Sequence, residues 1–104
     1  MTALLSVDFT RRAAAQTEAA TQWWRENRPL APDALREELE QALHLLALQP
    51  EIGATAQTIK LPGVRRVLLS RVKYHLYYRI VDGPPRSIQV LSLWHTSRGG
   101  NPAV

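Results

Sequence analysis

A chain of 104 residues with 45% hydrophobic content is long enough for one packed domain and too apolar for a disordered segment. It has no cysteine, which excludes disulfides, thiol chemistry and a cysteine-ligated zinc site and fits a reducing compartment. The net charge of +4 is unevenly spread: residues 1–52 balance at −3 and residues 53–104 at +7. A basic half attracts a polyanion or an acidic protein partner through its summed field, or serves only as a solvated surface.

The opening MTALLSVDFT has no charged start followed by a long apolar run. No apolar stretch approaches the roughly 20 residues of a membrane span. The expectation is a single cytoplasmic domain, residues 1–104, without membrane contact. Ala3 to Phe9 reads as a first strand, and Thr10 as the N-cap of a helix. In RRAAAQTEAATQWWRENR, Ala13, Thr17, Ala20 and Trp24 fall on one helix face. Trp24 then belongs to the core, and Trp23 to its edge or under a partner. Pro29 and Pro32 break the chain, and a second helix starts near Asp33 with Leu35, Leu39, Ala42, Leu43 and Leu46 as its apolar stripe. Pro50 and Gly53 end it. The two helices form a hairpin.

Beyond Gly53 the apolar period moves from 3.6 toward two. Pro62-Gly63 is a turn into a strand from Val64 to Arg71, and Lys73 to Asp82 is the next strand. Tyr74, Leu76, Tyr78 and Ile80 share one face; His75, Tyr77, Arg79 and Val81 share the other. Gly83-Pro84-Pro85 is a turn, and Ser87 to His95 is a last strand that is nearly apolar on both faces, as suits a central position. The order β-α-α-β-β-β predicts an α+β fold, a helical hairpin packed on a mainly antiparallel four-stranded sheet.

The chemistry-bearing residues are sparse. His44, His75 and His95 are too scattered for a metal site, and no cofactor motif, glycine-rich phosphate loop or serine–histidine–acid pattern is present. The sheet half lacks paired carboxylates for acid–base work. Arg65, Arg66, Arg71, Arg79 and Arg98 therefore read as anion holders. Arg65 and Arg71 lie on one strand face with Val67 and Leu69, and Arg66 on the other with Leu68 and Ser70. The arginines thus do not all point one way, and at least one serves structure.

LPGVRRVLL, then YHLYYRI, then VLSLWHTSR resembles the toxins of the RelE/ParE superfamily of type II toxin–antitoxin systems. The matching positions are Gly63-Val64-Arg65-Arg66, Tyr78-Arg79 and His95-Thr96-Ser97-Arg98, in the order and spacing typical there. RelE-like members cut messenger RNA on the ribosome with a set of lysines, arginines and a C-terminal tyrosine or histidine. Laid over that set, Arg66 keeps a cation, but Leu68, His75, Thr96 and Pro102 stand where lysine, arginine, arginine and tyrosine are typical. ParE-like members lack the set, often close the last strand with His-x-x-Arg, and poison DNA gyrase by binding.

The resemblance implies a ParE-like inhibitor of DNA gyrase, a growth-inhibiting basic protein rather than an enzyme. A cognate antitoxin would neutralise it in a toxin–antitoxin hetero-oligomer. Arg65, Arg66, Arg71, Arg79, His95 and Arg98 are then the target- or antitoxin-binding residues. The alternatives are a ribosome-dependent ribonuclease using Arg66, His75, Arg79, His95 and Arg98, and a non-toxic binding module.

Overall fold

Thr10 sets the start of the first helix: its Oγ1 accepts the Ala13 N–H at 3.1 Å, satisfying one of the donors that a helix N-terminus leaves free. The computed structural model describes residues 4–56 and 60–104. Its elements are β1 (Ser6–Phe9), α1 (Arg11–Asn27), α2 (Ala34–Leu48), β2 (Ala54–Thr55), β3 (Arg65–Leu69), β4 (Tyr74–Val81) and β5 (Ser87–His95). The expected first strand begins later than Ala3, which lies outside the described residues. The α+β architecture of a helical hairpin on a mainly antiparallel sheet is as expected. The sheet gains a fifth strand, the two-residue β2, which is too short to leave a period in the sequence.

The strand order is β1-β5-β4-β3-β2. β1 runs parallel to β5 at one edge, both helices lie in the connection from β1 to β2 at the other edge, and the other pairings are antiparallel. β5 is therefore central, which explains why both of its faces are apolar. Opposite Tyr77 and Tyr78, β5 carries one extra residue, Leu91, so that Tyr77 pairs with Ser92 and Tyr78 with Val90. The α1 N-terminus is pinned beside this bulge: the Thr10 N–H donates to the Val90 carbonyl at 3.0 Å.

The main core lies between helices and sheet. Leu35, Leu39 and Leu46 of α2 and Ala13 and Ala20 of α1 pack on Leu69, Leu76, Tyr78, Ile88, Val90 and Leu93. Trp24 joins this core from its edge, while Trp23 is 45% exposed. Val72 and half-buried Tyr74 extend the core to the β3–β4 turn. A second, smaller cluster sits on the helix-free face, where Ala56, Val64, Tyr77 and Leu91 are buried against Leu61 and Trp94. Tyr77 and Tyr78 are thus both buried, on opposite sides of the sheet.

Tyr78 does more than fill space. Its hydroxyl donates to the Pro50 carbonyl at 2.7 Å and accepts the Gly53 N–H at 2.9 Å, fastening the α2–β2 connection to β4. Burial raises its pKa; the Gly53 N–H and Arg65 oppose the rise, and Glu51 adds to it. Gly53 is required by this close approach, since a Cβ there would lie 2.5 Å from the Tyr78 hydroxyl. Among the described residues, no helix is long and apolar enough to cross a membrane and no group of acids and histidines could hold a metal.

Candidate functional site

The five arginines divide by strand alternation. Arg65, on the helix side of β3, donates from Nη1 to the carbonyls of Gly53 at 2.8 Å and Glu51 at 3.1 Å. It is the structural arginine of the set, a clamp on the same connection that Tyr78 holds. Arg71 lies beyond the end of β3, in the turn, where its backbone N–H donates to Glu38 Oε1 at 3.0 Å. Its side chain is exposed and belongs to neither sheet face.

Arg66 and Arg79 lie on the helix-free side, and Arg98, beyond β5, reaches Trp94 on that side. Arg66 is exposed and paired across the strands with Tyr77, whose hydroxyl lies 3.3 Å from Arg66 Nη1. Arg79 follows two residues along β4, half-buried, with Nε donating to Gln89 Oε1 at 2.7 Å. Arg98, beyond β5, places its guanidinium 3.8 Å from the ring centroid of Trp94. His75 pairs with Trp94 across the strands and lies edge-on to Tyr77 at 6.2 Å. Burial holds the His75 pKa below its ordinary value, and the nearby Arg66 charge pushes it in the same direction. By register, Asp8 of β1, beside Gln89, is the only acid of the described strands on this face. The surface carries Arg66 held by a tyrosine hydroxyl, Arg79 held by a glutamine and Arg98 over an indole, with no carboxylate–histidine pair among the described residues.

His95 is not part of that surface. It pairs with Tyr74 on the helix side, ring on edge at 4.8 Å. Its Nδ1 accepts the Ser97 N–H at 3.0 Å, so the neutral ring carries its proton on Nε2. The bulge at Leu91 and the alternation along β5 put His95 on the helix side, where it lines a cavity with Arg98, and put Trp94 on the side of Arg66 and Arg79.

Sequence reading missed two functional features. Trp94 and Gln89 are the partners that hold Arg98 and Arg79 in place, and their strand register is the only signal that could have named them. A groove also opens on the helix side. One cavity of about 380 Å³ is lined by Trp23, Trp24, Arg28, Tyr74, His95 and Ser97. A second of about 300 Å³ shares Trp23, Tyr74 and His95 with it and reaches Arg98.

Comparison with known proteins adds the decisive observation. The family described as the ParE toxin of the type II toxin–antitoxin system parDE matches over residues 7–99. The chain belongs to the ParE toxin family. A solved structure described as the chromosomal ParDE toxin–antitoxin system from P. aeruginosa is similar at 25% identity and a TM-score of 0.68, covering 88% of this chain and 96% of that one. No curated protein sequence matches. The ParE match runs from within β1 to beyond the end of β5, so it takes in both helices and the helix-free face described above.

Proposed function

We propose that this chain is a ParE-type toxin that inhibits DNA gyrase by binding, acts in the cytoplasm and is neutralised by a cognate antitoxin. One observation favours binding over catalysis: the helix-free face carries Arg66 and Arg79 with Arg98 at its end, while the Tyr77 hydroxyl beside His75 is on a buried side chain and engaged by Arg66. His95, the other histidine of the sheet, points to the opposite side. General acid–base cleavage of a phosphodiester is fastest with both a proton acceptor and a proton donor at the scissile bond. Three arginines held by Tyr77, Gln89 and Trp94 suit a fixed anionic surface instead.

The direct test uses the purified protein, purified gyrase and supercoiled plasmid with ATP. The reading expects accumulation of cleaved plasmid linked to gyrase, weakened by Arg66→Ala and Arg79→Ala. Unchanged gyrase activity in the presence of folded toxin would sink it.

A second reading, a ribosome-dependent ribonuclease, draws on the juxtaposition of His75, Arg66 and Arg79. With His75 as sole proton carrier, it requires that His75→Ala abolish message cleavage.

A further inference from the structure

The indole N–H of Trp94 is buried and has no hydrogen-bond partner among the described residues. Thr17 Oγ1 and Glu38 Oε2 share that condition, but both belong to the helices. Trp94 is on β5, across from His75, at the edge of the helix-free cluster. An indole nitrogen only donates, and a buried donor without an acceptor costs stability. Phenylalanine would pack against the same cluster and carry the Arg98 guanidinium without that cost. Nothing close to the ring repairs it. Ala56, Leu61, Val64 and Leu91 are apolar, the Tyr77 hydroxyl is engaged by Arg66, and the Arg98 guanidinium on the ring has donors alone. Arg98 is also the movable member of the pair. It is exposed, lies beyond the end of β5 and lines the helix-side cavity together with Tyr74 and His95. Burial raises the Tyr74 pKa and the Arg98 charge opposes the rise, which places that charge within reach of both sides of the sheet.

We propose that Trp94 and Arg98 form a covered receptor for one carboxylate of a protein partner. The guanidinium lifts off the ring, and the indole N–H and Arg98 then donate to the two oxygens of the same acidic side chain. The inference rests on the gyrase reading above and deepens it: the carboxylate is one of gyrase's. The free toxin holds an unpaired donor and the complex pairs it, so binding recovers what the fold forgoes. Depth decides between a carboxylate and a DNA phosphate. An aspartate or glutamate side chain reaches into a recess, whereas a phosphate is fixed in the nucleic-acid backbone and meets exposed cations such as Arg66 first. The toxin offers little competition, since Asp8 is the only acid of the described strands on this face. Tryptophan and arginine in one desolvated contact, with Arg66 and Arg79 on the same face, have the composition of an interface hot spot.

The test has two parts, both on the full chain. In the first, solvent exchange of the three indole N–H groups is followed by NMR, with Trp23→Phe and Trp24→Phe assigning the signals. Arg98→Ala should speed exchange at Trp94 by roughly tenfold or more and leave Trp23 and Trp24 as they were. Unchanged exchange at Trp94 would show that Arg98 is not its cover and would overturn the receptor without touching the gyrase reading. In the second, binding to purified gyrase is compared for wild type and Trp94→Phe, with the folded fraction taken from melting curves. Trp94→Phe keeps a ring under Arg98 and removes only the donor, so a merely structural role leaves the affinity of the folded protein unchanged. The receptor requires that affinity to fall by roughly tenfold or more. Trp94→Phe that binds gyrase like wild type would overturn the receptor and leave the gyrase reading standing. Folded wild-type toxin that does not bind gyrase would overturn both. Trp94→Phe that keeps gyrase but loses a twelve-residue oligodeoxythymidylate would assign the site to a phosphate and reject the carboxylate.

Discussion

The guanidinium of Arg98 lies 3.8 Å from the ring centroid of Trp94, and the Arg98 N–H donates to the His95 carbonyl at 3.0 Å. Stack and turn together fix an exposed cation at the end of the central strand. A cation over an exposed indole contributes about 0.5–1 kcal/mol. Arg98→Ala should therefore lower stability by about that much, measured by urea unfolding, while reducing growth inhibition by a larger proportion than so small a loss of folded protein explains. Toxicity that tracks stability alone would make Arg98 structural.

The hydroxyl of Tyr78 has two backbone partners in a buried setting. Tyr78→Phe leaves the Pro50 carbonyl and the Gly53 N–H without it, which costs about 1–3 kcal/mol for an unsatisfied buried group. The ring still fills its place in the core, so the fold should persist with a lower urea midpoint and an unchanged slope. An unchanged midpoint would show that water replaces the hydroxyl at no cost.

Leu35 is fully buried between α2 and the sheet. Leu35→Ala should cost about 2–5 kcal/mol and act through unfolding. Toxicity should then fall with the folded fraction and return at lower temperature. Arg66→Ala, on an exposed side chain, should behave oppositely: stability within about 0.5 kcal/mol and toxicity reduced at every temperature.

His75 gives the fold a pH dependence of defined sign. Its folded pKa lies below the ordinary 6.5 because of burial and Arg66. The unfolded chain therefore takes up a proton first as pH falls, and the native state loses stability from about the ordinary value downward until the folded value is passed. Above 6.5 this contribution is fully present. Melting temperatures from pH 7.5 to 5 should fall less steeply for His75→Gln than for wild type. Equal slopes would remove His75 from the acid response.

The helices and the faces of β4 were legible because each repeats a period over eight residues or more, and the extent of β5 because it is one apolar run behind a proline turn. α1 and α2 carry a 3.6-residue stripe that matches the core, and Tyr74, Leu76, Tyr78 and Ile80 do pack under the helices. β2 was not legible, since two residues hold no period. The arginines were legible as a class and not as a site. Whether Arg65 clamps a loop and Arg66 faces outward depends on strand alternation, which the sequence shows. That Arg65 reaches the Gly53 carbonyl depends on a connection the sequence does not place. The side on which His95 lies was not legible for a similar reason. One inserted residue, Leu91, decides which side the end of β5 presents, and an apolar run gives no sign of a bulge. The groove beside α1 draws on residues more than 60 positions apart, Trp23 and His95 among them, and so exists only in the folded chain.

The central claim is that the basic, helix-free face works by binding gyrase. The most direct measurement is a short induction of this chain in a bacterium, following the DNA-damage response and labelled amino-acid uptake in the same culture. The account expects the damage response to rise while protein synthesis continues, and expects Arg79→Ala to suppress that rise. An immediate stop in protein synthesis without a damage response would contradict it, and would move the site to the ribosome with His75 as the first residue to replace.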